Sequence, residues 1–183
     1  MILSCHHIYK SFGTTEILKD ISFHMEERQK IALIGANGAG KSTLLKIITG
    51  EYSADSGEAV LAKGKALGYL SQHQDLAVES TIYDGLLQAK ADVLELEQRI
   101  RELEQQMKHT SGDQLERLLN TYTTCTQEFE QKNGYAYKSE VTGVLKGLGF
   151  TESDFTKPIS TLSGGQKTRV ALGRLLLSRP DIL

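Results

Sequence analysis

One nine-residue stretch, GANGAGKST at Gly35–Thr43, restricts the fold of this 183-residue chain more than any other. It follows KIALIG, a short, continuously apolar run that ends in glycine, and leads into KSTLLKIIT, with Gly50 placed to close a helix. A run that is apolar at every position reads as a strand buried on both faces of a parallel sheet. Glycine just past an apolar helix is the usual left-handed terminator. Strand, glycine-rich turn and helix start together predict an α/β domain with a phosphate cradle at the turn. Phosphate oxygens need several converging backbone N–H groups, which requires a backbone unencumbered by Cβ atoms; Gly35, Gly38 and Gly40 supply that freedom. The helix N-terminus adds partial positive charge. Lys41 is placed to set an ammonium on the β- and γ-phosphates, and the Ser42 hydroxyl to ligate Mg²⁺. The nucleotide-binding stretch is therefore Gly35, Ala36, Asn37, Gly38, Ala39, Gly40, Lys41, Ser42 and Thr43.

Net charge is -2, so the chain as a whole is no basic clamp, and any polyanion must be met by a local site. Cys5 and Cys125 are far apart and lack a CxxC partner, which predicts reduced thiols and a cytoplasmic protein. The N-terminus MILSCHHIYK places two histidines and a lysine where a secretory signal needs an apolar core. No apolar run approaches the roughly 20 residues that span a bilayer, so no direct membrane insertion is expected.

Period-two patterns over Ile2–His7 and over ISFHMEE, separated by the turn signal in SFGTTEI, predict antiparallel strands ahead of the loop. Residues 58–72 read as two further short strands ending in ALGYLSQ. Beyond Asp84 the period changes. Val93, Leu96, Ile100, Leu103 and Met107 follow helical 3-4 spacing, KHTSGD interrupts, and Leu115, Leu118, Tyr122, Cys125 and Phe129 repeat it. Two such stripes joined by a short turn predict an antiparallel helical hairpin, ended by glycine in Gln131–Gly134. Its first helix mixes acidic and basic residues, and gives no positive sign of RNA contact. EVTGVLKGLGF and SGGQKTRVALGRLLLS then read as two helices; Gly173 inside the second costs about 1 kcal/mol relative to alanine. LSGGQ, Leu162–Gln166, opens that helix with Ser163 as N-cap, and Gly164 and Gly165 expose backbone N–H groups as a second anion site.

A phosphate loop followed by LSGGQ in the same chain resembles the ATP-binding cassette (ABC) family, over its whole length. The resemblance implies an α/β P-loop NTPase cassette with an antiparallel β subdomain, a parallel-sheet core and an inserted α-helical hairpin arm. It divides the chain into a nucleotide-binding core at 1–83, the arm at 84–134, and a helical subdomain at 135–183 that carries the signature. Gln72 of GYLSQ matches the family glutamine that reaches Mg²⁺ and the attacking water, and Phe12 in KSFG matches the aromatic that stacks on adenine. Ser163, Gly164, Gly165 and Gln166 match the signature that contacts ATP of an opposing cassette, in the same chain or in a head-to-tail dimer. Lys41 and Gln72 take the catalytic roles, with Ser42 and Gln72 on Mg²⁺.

The hairpin between Gln72 and LSGGQ, and the run LSGGQKTRVALGRLLLSRPDIL, are similar to the ABC-F branch, soluble two-cassette proteins that act on ribosomes. That branch implies an ATPase that couples ATP binding and hydrolysis to translation or antibiotic resistance, with ribosome and tRNA as partners. The alternative is the ATP-binding subunit of a membrane transporter. SRPDIL resembles the approach to the Walker B strand, which predicts a cassette cut just before that element, with Ile182 and Leu183 beside the Lys30–Gly35 strand. The expectation for the chain by itself is negligible turnover.

Overall fold

A computed structural model describes residues 1–71 and 79–183. Strand β1 (Leu3–Phe12) turns at Gly13–Thr14 into β2 (Thr15–Met25), and β3 (Ser56–Leu61) pairs with the other edge of β1. The sheet is antiparallel with order β2-β1-β3. Helix α1 (Lys41–Ile48) lays Leu44 and Ile47 against Cys5, Ile8 and Leu18. The two periods agree: a strand offers every second residue to one face, a helix every third or fourth. Gly50 closes α1 as expected, with φ 79° and its N–H donating to Ile47 O at 3.1 Å. Burial pushes the Cys5 thiol up to about 11, so it serves as a protonated core residue and not as a nucleophile. These elements belong to one compact unit, Met1–Tyr69 with Pro180–Leu183.

The run expected as a doubly buried parallel strand, Lys30–Gly35, departs from expectation. It makes no ladder, and Ile31 and Ile34 are 44% and 93% exposed. A parallel strand is held only by neighbours on its edges, and among the described residues the one parallel pairing is an isolated bridge between Leu67 and Ile182. There Gly68 N–H donates to Ile182 O at 2.8 Å and Asp181 N–H to Ala66 O at 2.8 Å. Ile182 is buried with Ile2 and Leu3, while Ile31 and Leu33 share with Leu67, Ile182 and Leu183 the lining of an apolar cavity of about 140 Å³. Ile182 thus pairs with Leu67 and not with the Lys30–Gly35 run. Of the two strands expected over 58–72, β3 forms, and among the described residues the second is reduced to that bridge.

The second compact unit is Leu70–Arg179. Helices α2 (Ile82–Leu87), α5 (Tyr137–Gly147) and α6 (Gly164–Ser178) enclose a core of Ile82, Leu86, Val141, Leu145, Ile159 and Val170. Gly173, costly by propensity, is a close-approach position: a Cβ there would sit 2.9 Å from Leu148 Cδ1 and 3.0 Å from Leu86 Cδ2. Helices α3 (Ala91–Met107) and α4 (Asp113–Gln131) form where the two stripes lie. They run antiparallel, since Lys132 Nζ meets Asp92 Oδ2 at 2.7 Å and Tyr122 OH donates to Glu104 at 3.3 Å. Val93, Leu103 and Phe129 are buried in their seam or at its base. At the end of α4 the left-handed residue is Asn133 (φ 55°), with Gly134 N–H donating to Phe129 O at 2.7 Å.

One carboxylate joins three elements of this unit. Glu140 of α5 meets the ammonium of Lys90, just before α3, at 2.9 Å and Arg179, just after α6, at 3.0 Å. Lys90 is 9% exposed, and its hydrogen bond holds the Glu140 carboxyl below the usual range. Glu140→Gln leaves a nearly buried ammonium without its counter-charge, and roughly 3 kcal/mol of stability should be lost in denaturant unfolding at pH 7. Because the folded-state pKa is lowered, this contribution is present above the ordinary glutamate pKa of about 4.3 and is lost as pH falls through the folded value. The gap between variant and parent should therefore narrow below about pH 4.

Candidate functional site

The loop Gly35–Gly40 enters α1 with Gly38 at φ 85° and Gly40 at φ 87°. Gly40 is the N-cap, in the left-handed region, and its position is enclosed: a Cβ would lie 2.8 Å from Leu18 Cδ2 and 2.9 Å from Ile17 Cγ2. The loop backbone is thereby pressed against β2, and only glycine meets both demands at once. Ala39 N–H donates to Ala36 O at 3.2 Å and closes the turn. No side chain caps α1 and its first turn carries no acidic residue, so the field at this helix start is positive and uncompensated. Lys41 Nζ donates to Gly35 O at 2.8 Å and Ala36 O at 2.7 Å, which bends its ammonium back over the loop. Ser42 is exposed and Thr43 half-buried on the same first turn. An ammonium, the backbone N–H groups of a helix start and a hydroxyl share one mouth, the groups that a polyphosphate needs.

Phe12 ends β1 in the same unit. Its ring is 49% exposed, which argues for a ring that is offered to a partner and against a core aromatic. Tyr52 stands edge-on to it, centroids 5.9 Å apart at 72°. Gln72 lies outside the described residues.

Ser163–Gln166 start α6 in the second unit. Ser163 Oγ accepts from Gln166 N–H at 3.3 Å and Gln166 Oε1 accepts from Ser163 N–H at 2.9 Å, a reciprocal capping box. Gly164 and Gly165 are exposed, and a Cβ on either would meet nothing within 4 Å. No internal packing requires glycine there, whereas an outside surface pressed onto the backbone would.

Sequence reasoning named Gln166 as a ligand contact and missed its capping role, although Ser-x-x-Gln before an apolar run is the capping-box signature. Asp55 was missed as well. Its carboxylate accepts from Lys10 Nζ and from Ser11 N–H, each at 2.7 Å, and is held below the usual range first by the lysine. A partner 45 residues away leaves no local signal.

The ABC transporter family profile matches residues 18–183. The putative ATP-binding protein YdiF of Bacillus subtilis is 44% identical over 100% of this chain and 28% of its own length. The tylosin resistance ATP-binding protein TlrC of Streptomyces fradiae is 33% identical over 99% of the chain and 33% of its own length. The energy-dependent translational throttle protein EttA of Mycobacterium tuberculosis is 29% identical over 100% and 32%, and ABC transporter F family member 5 of Arabidopsis thaliana 28% over 97% and 26%. The chain thus spans about a quarter to a third of the length of these relatives. The fold is that of a solved ATP-binding subunit of an ABC transporter, with TM-score 0.67 at 19% identity over 98% of this chain and 63% of that one. No helix among the described residues is long and apolar enough to cross a membrane. The chain is an α/β ATP-binding domain that belongs to the ABC transporter family, with ABC-F members among its full-chain relatives.

Proposed function

We propose that this domain binds MgATP as part of an ABC-F type ATPase that couples ATP binding and hydrolysis to work on the ribosome. The observation that carries this reading is the hairpin α3–α4, inserted between the phosphate loop and the Ser163 helix start. Relatives named for translational throttling and tylosin resistance support it. Lys41 neutralises the β- and γ-phosphates; Ser42 and Gln72 hold Mg²⁺, with Gln72 also on the attacking water; Phe12 stacks on the base. Gly35–Gly40 and Thr43 supply the cradle.

Ser163, Gly164, Gly165 and Gln166 meet the γ-phosphate held by a second cassette, so ATP closes the pair and hydrolysis releases it. The electrostatics favours that geometry, because a triphosphate seated on one helix N-terminus presents its outer charge to another. The protein works in the cytoplasm, with ribosome and tRNA as partners and no membrane insertion of its own.

The test is co-sedimentation of the intact, hydrolysis-deficient protein with ribosomes in MgATP. Pelleting with ribosomes in ATP and not in ADP is the expected result. No ribosome binding in either nucleotide would overturn the ribosomal role and favour the transporter-subunit alternative.

A further inference from the structure

Stacking on a base requires a ring held in one plane, and Phe12 sits at the exposed end of a hairpin where rotamer freedom is high. Two contacts hold it. The Lys10 ammonium lies over the Phe12 ring, 5.7 Å from its centroid, and is itself fixed on Asp55. Asp55 also accepts from Ser11 N–H, so a single carboxylate straps down both residues that precede Phe12. Tyr52 is the second support, edge-to-face with Phe12. Tyr52 is in turn anchored to the last turn of α1. Its N–H donates to Lys46 O at 3.0 Å, and the Lys46 ammonium lies 4.8 Å from its ring centroid. The first turn of that same helix carries Lys41, Ser42 and Thr43. One helix therefore ends on the phosphate side at the loop and on the other side at the ring that steadies Phe12.

We propose that Tyr52 is a positioning residue for the purine base of the bound nucleoside triphosphate. It fixes the plane of Phe12 against α1, so the base and phosphate subsites are held at a set separation by one rigid element. This rests on Phe12 stacking the base, and a ring that cannot turn loses less freedom when the base arrives. The contact with Phe12 is ring to ring, and the Tyr52 hydroxyl acts on Lys46 and not on Phe12.

The experiment compares binding of MgATP and of inorganic tripolyphosphate, by calorimetry, to the intact protein and its variants. Tyr52→Ala and Tyr52→Leu should weaken MgATP binding about three- to tenfold, the range set by one edge-to-face aromatic contact, and leave tripolyphosphate unchanged. Tyr52→Phe should restore parental affinity. Equal weakening of both ligands would show a general disturbance of α1 and overturn the proposal. Unchanged MgATP affinity in Tyr52→Ala, with a clear loss in Phe12→Ala, would overturn it while leaving the stacking role intact. Unchanged affinity in Phe12→Ala would remove the stacking role itself, and the proposal with it.

Discussion

Lys41→Ala in the intact protein should weaken MgATP binding about a hundredfold, since it deletes an ammonium that makes more than one charge-assisted bond worth roughly 1.5–3 kcal/mol each. The structure explains why the loss should be confined to binding. The lysine's partners are two loop carbonyls, Gly35 O and Ala36 O, whereas α1 is secured by Leu44 and Ile47 in the core. Circular dichroism and the thermal midpoint should therefore stay close to the parent. Lys41→Arg should not rescue, because a planar fork cannot occupy the position of a compact point charge inside a tight loop. Nucleotide titration by calorimetry decides the matter, and a loss of less than about threefold would count against Lys41 as the phosphate contact.

Gly57→Ala is expected to be the most damaging small substitution in the sheet. Gly57 lies on β3 with φ 81°, beside the irregularity between His6 and Tyr9 where β1 and β3 change register. A Cβ there would fall on the carbonyl oxygens of His6 and His7. Backbone atoms cannot swing aside as the end of a side chain can. The left-handed conformation adds a cost of about 1–2 kcal/mol for any L side chain. A total loss of roughly 3 kcal/mol or more is expected in denaturant unfolding, with the midpoint shifted and β3 exchanging its amide hydrogens first. Gly164→Ala, where a Cβ meets nothing, is the control that should leave stability nearly unchanged.

What could be read from the sequence follows from which interactions are local. The phosphate loop is a nine-residue signal whose glycines, lysine and helix start answer one another within the stretch, and the structure places it at a helix N-terminus. Helices α3 and α4 were legible because a helix satisfies its own backbone, so the 3-4 spacing of Val93–Met107 and Leu115–Phe129 was enough. The Lys30–Gly35 strand shows the opposite case. Its apolar run satisfies the side-chain condition for a buried strand, but a strand exists only with neighbours, and the nearby parallel pairing stops at Leu67 and Ile182.

Long-range pairs left still less trace. Glu140 gathers Lys90 and Arg179 from 50 and 39 residues away. Tyr52 meets Phe12 across an intervening loop, helix and strand. No periodicity records such meetings, because they depend on how elements fold onto each other. For Arg179, a non-glycine residue at φ 47°, the sequence offers no hint beyond the proline that follows it.

The reciprocal cap of Ser163 and Gln166 has a kinetic side. A helix start without such a cap frays, and every approaching anion must first wait for, and then order, the same few residues at about 1–2 kcal/mol each in backbone entropy. Here that ordering is completed during folding, by the two hydrogen bonds between Ser163 and Gln166, with Gly164 and Gly165 exposed between them. A surface that docks on this helix meets it already in register. Docking at α6 can therefore proceed at the rate of diffusion and orientation, with no step of helix formation to slow it.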